Sequence, residues 1–299
     1  MKIVELSGGV GGARMARGLA TLEGVDLTVV VNVGDDSDNL GMVVCPDLDT
    51  VVYTLAGVEG AQGWGRRDDT FAFNEELARF GVDNTFRIGD RDLALKMYRT
   101  SEIAESVTLT KVTRSIVSSF ELSTTVLPVT DDRLRTMVLT RSGWLTFQEY
   151  FVERRHEDQV LELRFEGSAG AKPAPGVIES IVRADLVVIG PSNPPLSIWP
   201  ILAVPGVRDA IQTHPNVVAV SPLIGGKTLK GPADRVMRDL GRGEGNLAVA
   251  SCYEGLIRML VVDSSDAGGD IGGLEVLATD ILITDLDAGA RLAGELVRS

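Results

Sequence analysis

Four glycines after the first apolar run constrain the fold of this chain more than any other feature. Lys2–Leu6 predicts a β-strand, Ser7–Gly12 holds the glycines, and helical periodicity over Ala13–Leu22 precedes a second predicted strand at Leu27–Val33. This order predicts a β-α-β unit. Because glycine lacks a Cβ atom, backbone N–H groups at such a turn can approach an anion closely. The residues expected to cradle a phosphate are Gly8, Gly9, Gly11 and Gly12.

The glycine run departs from two familiar nucleotide-binding patterns. Counting G-x-G-x-x-G from Gly9 puts the third glycine on Arg14, which disfavours a nicotinamide-dependent dehydrogenase. A later segment, Gly225–Thr228, resembles the end of a P-loop, but its leading glycine would have to be Ser221, and Pro222 follows. This disfavours a Walker-type ATPase. A tight turn that binds nothing remains an alternative for the first run.

Further β-branched runs predict the fold class. Asp185–Ile189 and Val217–Val220 are each followed by a turn and helix-compatible sequence, which predicts parallel strands. We therefore expect an α/β, Rossmann-like, mainly parallel sheet with helices on both faces and one inserted smaller subdomain. A Gly-, Ala- and Pro-rich stretch at Glu166–Gly176 marks a boundary. The predicted blocks of this single domain are 1–120 with the glycine and acidic loops, 121–166 as inserted strands and helices, and 167–299 as a second α/β block.

The charge of the chain limits its partners. A net charge of −13 disfavours broad electrostatic attraction to nucleic acid or to an anionic membrane. No apolar run approaches 18 residues and no signal-peptide pattern is present, so we expect a cytoplasmic protein without membrane partners. Cys45 and Cys252 are too far apart in sequence to indicate a disulfide framework or a thiolate metal site. A site for a phosphate ester would have to supply its own cation or arginines.

An acidic loop after the second predicted strand offers that cation site. Five aspartates lie within 15 residues, at the carboxyl end of a strand where open α/β sheets bind ligands. They are Asp35, Asp36, Asp38, Asp47 and Asp49. Since Mg²⁺ takes one or two carboxylates and completes its shell with water and phosphate oxygens, we expect Asp35 and Asp36 to bind it. Asp49 fits equally well as a ligand or as the cap of a helix over Thr50–Ala56.

Basic and polar groups follow in three other segments. Arg87 and Arg91 lie in Phe86–Asp92, and Trp64 lies in a Gly- and Arg-containing segment upstream; a solvated helix start is the alternative interpretation. The turn Gly190–Pro194 offers backbone amides with Ser192 and Asn193, although a rigid proline turn explains its composition nearly as well. Lys227 and Lys230 could contact phosphate. With only two histidines and no G-x-S-x-G pattern, the residues favour metal-assisted phosphoryl chemistry over nucleophilic catalysis.

Six segments in matching order give the chain a family resemblance. They are LSGGVGGARMARGL, NVGDDSDNLG with VCPDLDTVVYTLAG, FRIGDRDLALKMYRTS, KPAPGVIESI, GPSNPPLSIWPILAVPGVRDAI and SPLIGGKTLKGPA. Together they resemble the 2-phospho-L-lactate transferase family of coenzyme F420 biosynthesis, and they look most like its actinobacterial branch. The resemblance implies that a phosphoenolpyruvyl or 2-phospho-L-lactyl group passes from a guanosine diphosphate conjugate to the deazaflavin Fo, releasing GMP. It also implies a homodimer.

The resemblance implies a role for each candidate residue. Asp35 and Asp36 would hold Mg²⁺ against the diphosphate and orient the attacking hydroxyl, and Asp49 and Arg87 would lie at the Fo side. The residues that would hold the guanosine nucleotide and its phosphates are Gly8, Gly9, Gly11, Gly12, Gly190, Ser192, Asn193, Lys227 and Lys230. The competing class resembles non-enzymatic nucleotide-sugar-binding regulators of the same fold, which lack a deazaflavin site. The sequence does not decide between the lactyl and enolpyruvyl donors.

Overall fold

The computed structural model describes residues 1–82, 87–268 and 271–299. Its strands are β1 (Lys2–Ser7), β2 (Asp26–Val31), β3 (Ser37–Asn39), β4 (Met42–Val44), β5 (Thr125–Pro128), β6 (Arg135–Thr140), β7 (Gly143–Thr146), β8 (Glu162–Glu166), β9 (Leu186–Ile189), β10 (Val217–Val220), β11 (Leu223–Ile224), β12 (Lys227–Thr228), β13 (Met259–Asp263) and β14 (Glu275–Thr279). Its α-helices are α1 (Gly9–Ala20), α2 (Pro46–Leu55), α3 (Ala72–Arg79), α4 (Asp90–Ala104), α5 (Leu109–Ser119), α6 (Val177–Arg183), α7 (Trp199–Leu202), α8 (Val207–Gln212), α9 (Ala233–Asp239), α10 (Gly245–Cys252) and α11 (Leu286–Arg298). Two π-helical turns span Glu149–Glu153 and Pro194–Ile198, and two 3-10 turns span Ser168–Gly170 and Ser264–Asp266.

The main sheet has seven strands in the order β14-β13-β10-β9-β1-β2-β5, and every neighbouring pair is parallel. The central strands β9 and β10 consist of Val, Ile, Leu and Ala, and they are buried at every position. Such continuous apolar runs are typical of strands covered on both faces. The structure therefore confirms the predicted Rossmann-like α/β class.

The strand order reverses between β1 and β9. From β1 the chain proceeds outward to β2, whereas from β9 it proceeds outward in the other direction through β10, β13 and β14. Right-handed crossovers then place α1 and α8 on opposite faces of the sheet. Helix α1 packs between α2 and α11, and α8 packs against α6. A crevice opens at such a reversal, beyond the carboxyl ends of the two strands, and this is where open α/β sheets bind ligands.

The inserted unit is smaller than the predicted 121–166. Strand β5 (Thr125–Pro128) pairs in parallel with β2 and forms one edge of the main sheet. The insertion therefore begins after β5, with β6, β7 and β8 forming a separate antiparallel sheet. Its small core includes Val138, Tyr150 and Val160, which pack with Leu196 and Val236 of the second block. Within this unit, β7 is followed by a π-helical turn over Glu149–Glu153.

Two helices begin earlier than the sequence predicts. Helix α1 begins at Gly9 rather than Ala13, so the glycines form its first turn instead of a separate loop. Helix α2 begins at Pro46 rather than Thr50, because proline fits the first helical position, where its missing N–H is not needed. The final helix follows Asp285, whose side chain accepts a 2.9 Å hydrogen bond from the N–H of Ala288. Among the described residues, the helices are all too short or too polar to cross a bilayer.

A carboxylic acid lies inside the centre of the sheet. Glu5 on β1 is fully buried, and neither carboxyl oxygen has a hydrogen-bond partner in the described part of the chain. A Cβ atom built on Gly190 would lie 2.5 Å from Glu5 Oε1, so the side chain fits beneath the turn after β9. Burial raises the pKa of Glu5 well above its ordinary value, because a charged carboxylate is poorly solvated there.

We expect Glu5→Gln to become increasingly more stable than the parent as the pH rises above about 4.5, the ordinary carboxyl range. Since the folded pKa is raised, the unfolded state loses its proton first, and the parent loses up to about 1.4 kcal/mol of stability per pH unit between the two pKa values. A glutamine side chain does not titrate in this pH range, so the variant does not lose stability in this way. Urea unfolding across this pH range, with the exposed Glu23→Gln as control, measures the effect. A stability difference that is independent of pH would contradict the account.

Candidate functional site

Three predicted segments meet at the carboxyl ends of β1 and β9. The N–H of Gly8 donates to Ser192 Oγ over 3.2 Å, which ties the start of α1 to the turn after β9. The N–H of Gly9 donates to Asp47 Oδ1 over 2.8 Å, which brings in the start of α2. The glycine run, the turn 190–193 and the Asp47 segment therefore surround the crevice at the reversal of strand order.

Most of the glycines serve close packing at this crevice. An added Cβ would lie 2.2 Å from the carbonyl oxygen of Pro191 at Gly11, and 2.3 Å from Ser7 Oγ at Gly12. Gly190 packs in the same way against Glu5. Gly9 differs, because it has a φ of +66° and no atom lies within 4 Å of its Cβ position. Within the run, only Gly9 leaves open space where a side chain would lie, whereas its neighbours pack closely; the phosphate role stays a prediction for all four.

Gly11→Ala is expected to lower the free energy of unfolding by about 1–3 kcal/mol, the usual range for an overpacked position. The new methyl group would collide with a backbone carbonyl, which cannot rotate away as a side chain can, so α1 and the turn after β9 must separate. Gly170→Ala is the matched control, because an added Cβ there meets nothing within 4 Å. Denaturant unfolding of both variants measures the difference, and equal stabilities would refute this packing role.

Asp35 and Asp36 follow β2 and lie in the wall of the crevice. They are 4% and 6% exposed, and each has one carboxylate oxygen without a hydrogen-bond partner among the described residues. Burial raises the pKa of Asp36 to about 7. Burial, followed by the nearby charge of Asp47, raises the pKa of Asp35 well above its ordinary range. Two buried carboxyl groups with unused oxygens are costly for stability alone, so their placement indicates a ligand-binding role.

Asn32 organises this wall, although the sequence analysis did not select it. Its Nδ2 donates to Asp47 Oδ2 over 2.9 Å, and its Oδ1 accepts the N–H of Gly34 over 2.8 Å. Burial raises the pKa of Asp47 to about 6, against the hydrogen bonds from Asn32 and Gly9. A polar side chain directly after a buried Val run was the available signal for this position.

Asp49 lies inside α2 and does not cap a helix at Thr50. The Nζ of Lys96 is 3.2 Å from Asp49 Oδ2 and 2.5 Å from Asp92 Oδ1, and the guanidinium of Arg99 contacts both Asp49 oxygens. Burial alone would raise the pKa of Asp49, but Arg99 and Lys96 outweigh burial and lower it. Its place at the Fo side stays a prediction. The i, i+4, i+7 spacing of the α4 residues was the signal for this buried ion cluster.

The predicted basic residues occupy different surroundings. The guanidinium of Arg87 lies 4.4 Å from the ring centre of Phe71, while Phe86, the first residue of that motif, lies outside the described residues. Lys230 Nζ donates to the carbonyl oxygen of Gln62 over 3.2 Å and lies 5.8 Å from the Trp64 ring. Lys227 is exposed on the β11–β12 hairpin. The ligand contacts predicted for these residues remain predictions.

The segment around Trp64 lies over the start of α1. A Cβ atom built on Gly63 would lie 2.6 Å from a Val10 methyl group, so this segment packs closely on the first turn of α1. On its other side, Asn193 accepts the N–H of Leu196 over 3.2 Å and caps the π-helical turn that follows. The Asn193 side chain therefore stabilises the turn itself.

A cavity of about 640 Å³ separates the acidic loop from the inserted unit. The N–H of Thr136 donates to Gly34 O over 2.7 Å, and Gln148 Nε2 donates to Asp35 O over 3.2 Å, so the insertion is attached directly to the acidic loop. None of the site residues predicted from the sequence lies in the insertion. The residues that line its two walls include Asp35, Asp36, Arg135, Met137 and Gln148.

The residues present fit a magnesium ion that shares its ligands with a substrate. Within residues 1–82, 87–268 and 271–299, no group of three or more His, Cys, Asp or Glu could hold a metal ion alone. Mg²⁺ needs only one or two carboxylates when phosphate oxygens and water complete its octahedron. The unused oxygens of Asp35 and Asp36 match that requirement.

The fold and this site define a class: a doubly wound α/β protein with an acidic cavity between the loop after β2 and an inserted unit. The model of the 2-phospho-L-lactate transferase CofD family matches residues 3–270. The chain belongs to this family, which confirms the resemblance found in the sequence.

Relatives of known name support the same membership over the whole chain. A phosphoenolpyruvate transferase from Streptomyces griseus is 42% identical over 306 aligned residues, covering 98% of this chain and 96% of the relative. A 2-phospho-L-lactate transferase from Methanopyrus kandleri is 41% identical over 303, covering 100% and 97%. Because the two differ by one percentage point, similarity does not decide between their named activities.

A solved structure supports the fold. Protein BH3568 from Bacillus halodurans, a member of the UPF0052 family, superposes with a TM-score of 0.67 over 99% of this chain and 98% of its own. At 16% identity this likeness concerns the architecture alone.

Proposed function

We propose that this protein transfers a phosphoenolpyruvyl or 2-phospho-L-lactyl group from its guanosine diphosphate conjugate to the hydroxyl of the deazaflavin Fo, in coenzyme F420 biosynthesis. The names of the relatives support the class of group transferred. The observation that carries the proposal is the pair of buried aspartates, Asp35 and Asp36, which line a cavity and each keep a carboxylate oxygen without a partner among the described residues.

The reaction exchanges one bond to phosphorus for another. The acceptor hydroxyl oxygen bonds to the phosphorus that carries the three-carbon acid, and the bond from that phosphorus to the oxygen of GMP breaks. GMP leaves with the electron pair, and the hydroxyl proton passes to an oxygen of the aspartate pair. Asp35 and Asp36 suit this step, because each keeps one carboxylate oxygen without a hydrogen-bond partner among the described residues.

The chain's own groups position the reactants. In this proposal the glycine run at the start of α1 binds the diphosphate, and the turn from Gly190 to Asn193 binds the guanosine. Asp35 and Asp36 hold Mg²⁺ and orient the hydroxyl, while Asp49 and Arg87 lie towards Fo. When bound, Mg²⁺ neutralises the negative charge that the phosphates bring into this acidic cleft.

The test is incubation of purified protein with Fo, each guanylated donor and Mg²⁺, followed by chromatography for GMP and the Fo phosphodiester. Equal amounts of both products support the proposal, and the faster donor identifies the three-carbon acid. GMP without phosphodiester would reflect hydrolysis and would contradict transfer.

A second candidate is a non-enzymatic regulator of the same fold that binds a nucleotide sugar. Tight binding of a UDP-sugar with no release of GMP would favour it.

The proposal also includes a cytoplasmic homodimer, so light scattering should give about twice the chain mass of 31.9 kDa.

A further inference from the structure

The inserted unit presents one arginine to the cavity, across from the aspartate pair. On β6, Thr136, Val138 and Thr140 are buried, while Arg135 and Met137 are half-buried, and both line the cavity. The bond from the N–H of Thr136 to Gly34 O fixes this strand against the acidic loop at the next residue. The backbone thus holds Arg135 beside the loop that carries Asp35 and Asp36.

The guanidinium of Arg135 retains most of its binding capacity. Its Nη1 donates to the carbonyl oxygen of Leu134 over 2.8 Å, and it forms no ion pair within the described part of the chain. Glu166 faces it across the strand pair, yet no salt bridge joins them.

The second arginine of the cavity has a different position. Arg133 is 70% exposed at its side chain and lies 3.9 Å from Asp38, itself 62% exposed. Such an exposed pair contributes little to binding, because solvent screens it. Arg133 therefore belongs to the rim, and Arg135 is the arginine that reaches the cavity wall near the reacting groups.

The donor requires such a cation. Both candidate three-carbon acids carry a carboxylate beside the transferred phosphorus, and this carboxylate enters a cleft that already holds Asp35 and Asp36. A metal ion on the diphosphate leaves the carboxylate without a partner. A planar guanidinium matches a carboxylate with two parallel hydrogen bonds, which a lysine cannot reproduce.

We propose that Arg135 binds the carboxylate of the three-carbon acid and selects donors that carry one. This inference rests on the proposed function for the identity of the donor. It makes the inserted unit the part of the protein that recognises the transferred group, whereas the main sheet holds the nucleotide.

The test compares two donors, the guanylated three-carbon acid and an analogue in which a hydrogen replaces the carboxylate. We expect the parent protein to prefer the acid by about 100-fold in kcat/KM, as a site with a dedicated polar partner does. Arg135→Gln should lose this preference, mainly through a higher KM for the acid, with less than about threefold change for the analogue. Arg135→Lys should recover only part of it. Arg141→Gln, on the exposed β6–β7 turn, is the matched control.

A purely structural role predicts another result. If Arg135→Gln lowers turnover of both donors equally, the preference survives and the inference is overturned. If the parent turns over neither donor, the proposed function fails, and calorimetry with phosphoenolpyruvate alone then decides on Arg135. Binding by the parent that Arg135→Gln abolishes would support the carboxylate site, whereas no binding, or binding unchanged in the variant, would overturn it.

Discussion

Asp49→Asn is expected to lower the free energy of unfolding by about 3–5 kcal/mol, because it leaves buried cations without their counter-ion. Arg99 is 1% exposed and Lys96 is 4% exposed, so water cannot replace the lost carboxylate. Asp92 remains beside Lys96 but also accepts the 2.8 Å hydrogen bond of the Tyr53 hydroxyl. Chemical denaturation measures the loss.

Two further variants distinguish the cost of leaving buried cations unpaired from the smaller cost of breaking an exposed ion pair. Glu179→Gln breaks the exposed 2.7 Å pair with Arg183 and should cost less than about 1 kcal/mol. In Asp49→Asn/Lys96→Met one unpaired cation is gone, so the double variant should lose less stability than the two single losses added together. Strict additivity would contradict the coupled cluster.

Asp36→Asn is expected to reduce turnover by at least about 100-fold, comparable to losing a major electrostatic contact in a transition state. The variant keeps the shape of the side chain but removes the charge that would hold the cation and the oxygen that would take the proton. Stability should stay equal or rise, because the parent buries a carboxyl oxygen without a partner. Steady-state GMP release and thermal unfolding measure the two quantities.

Asp38→Asn is the control for this prediction, since Asp38 lies in the same loop but is exposed. It should retain turnover within about twofold, as expected for a surface substitution. Parent-like turnover in Asp36→Asn would remove Asp36 from the mechanism. A large loss of stability would show that its carboxylate instead supports the fold.

Local sequence signals predicted the central part of the fold. Buried Val and Ile runs such as Val217–Val220 define strands by themselves. The predicted start of α1 was wrong. The low helix propensity of glycine favours a loop, whereas the packing of Gly11 on Pro191 stabilises the helical turn. Strand β5 was predicted to belong to the insertion, because a sequence of four residues does not indicate which distant strand it will pair with.

The candidate site was predictable where it depends on topology. The missing Cβ atoms selected the glycine run, the carboxyl end of a strand selected the acidic loop, and backbone amides selected the turn at Gly190; the structure brings these together. The sequence alone could not select Arg135 or Gln148, because their position near Asp35 depends on how the insertion packs against the acidic loop. The sequence predicted a ligand or cap role for Asp49, because its partners on α4 are distant in sequence and their contact with it could not be recognised.

The central claim is that Asp35 and Asp36 hold a divalent ion against a nucleotide diphosphate at the reversal of strand order. Crystals grown with GDP and Mn²⁺, which scatters anomalously, test it most directly. We predict an anomalous peak within about 2.0–2.3 Å of a carboxylate oxygen of Asp35 or Asp36, with the diphosphate at the start of α1. A metal and nucleotide bound away from these residues would contradict the account.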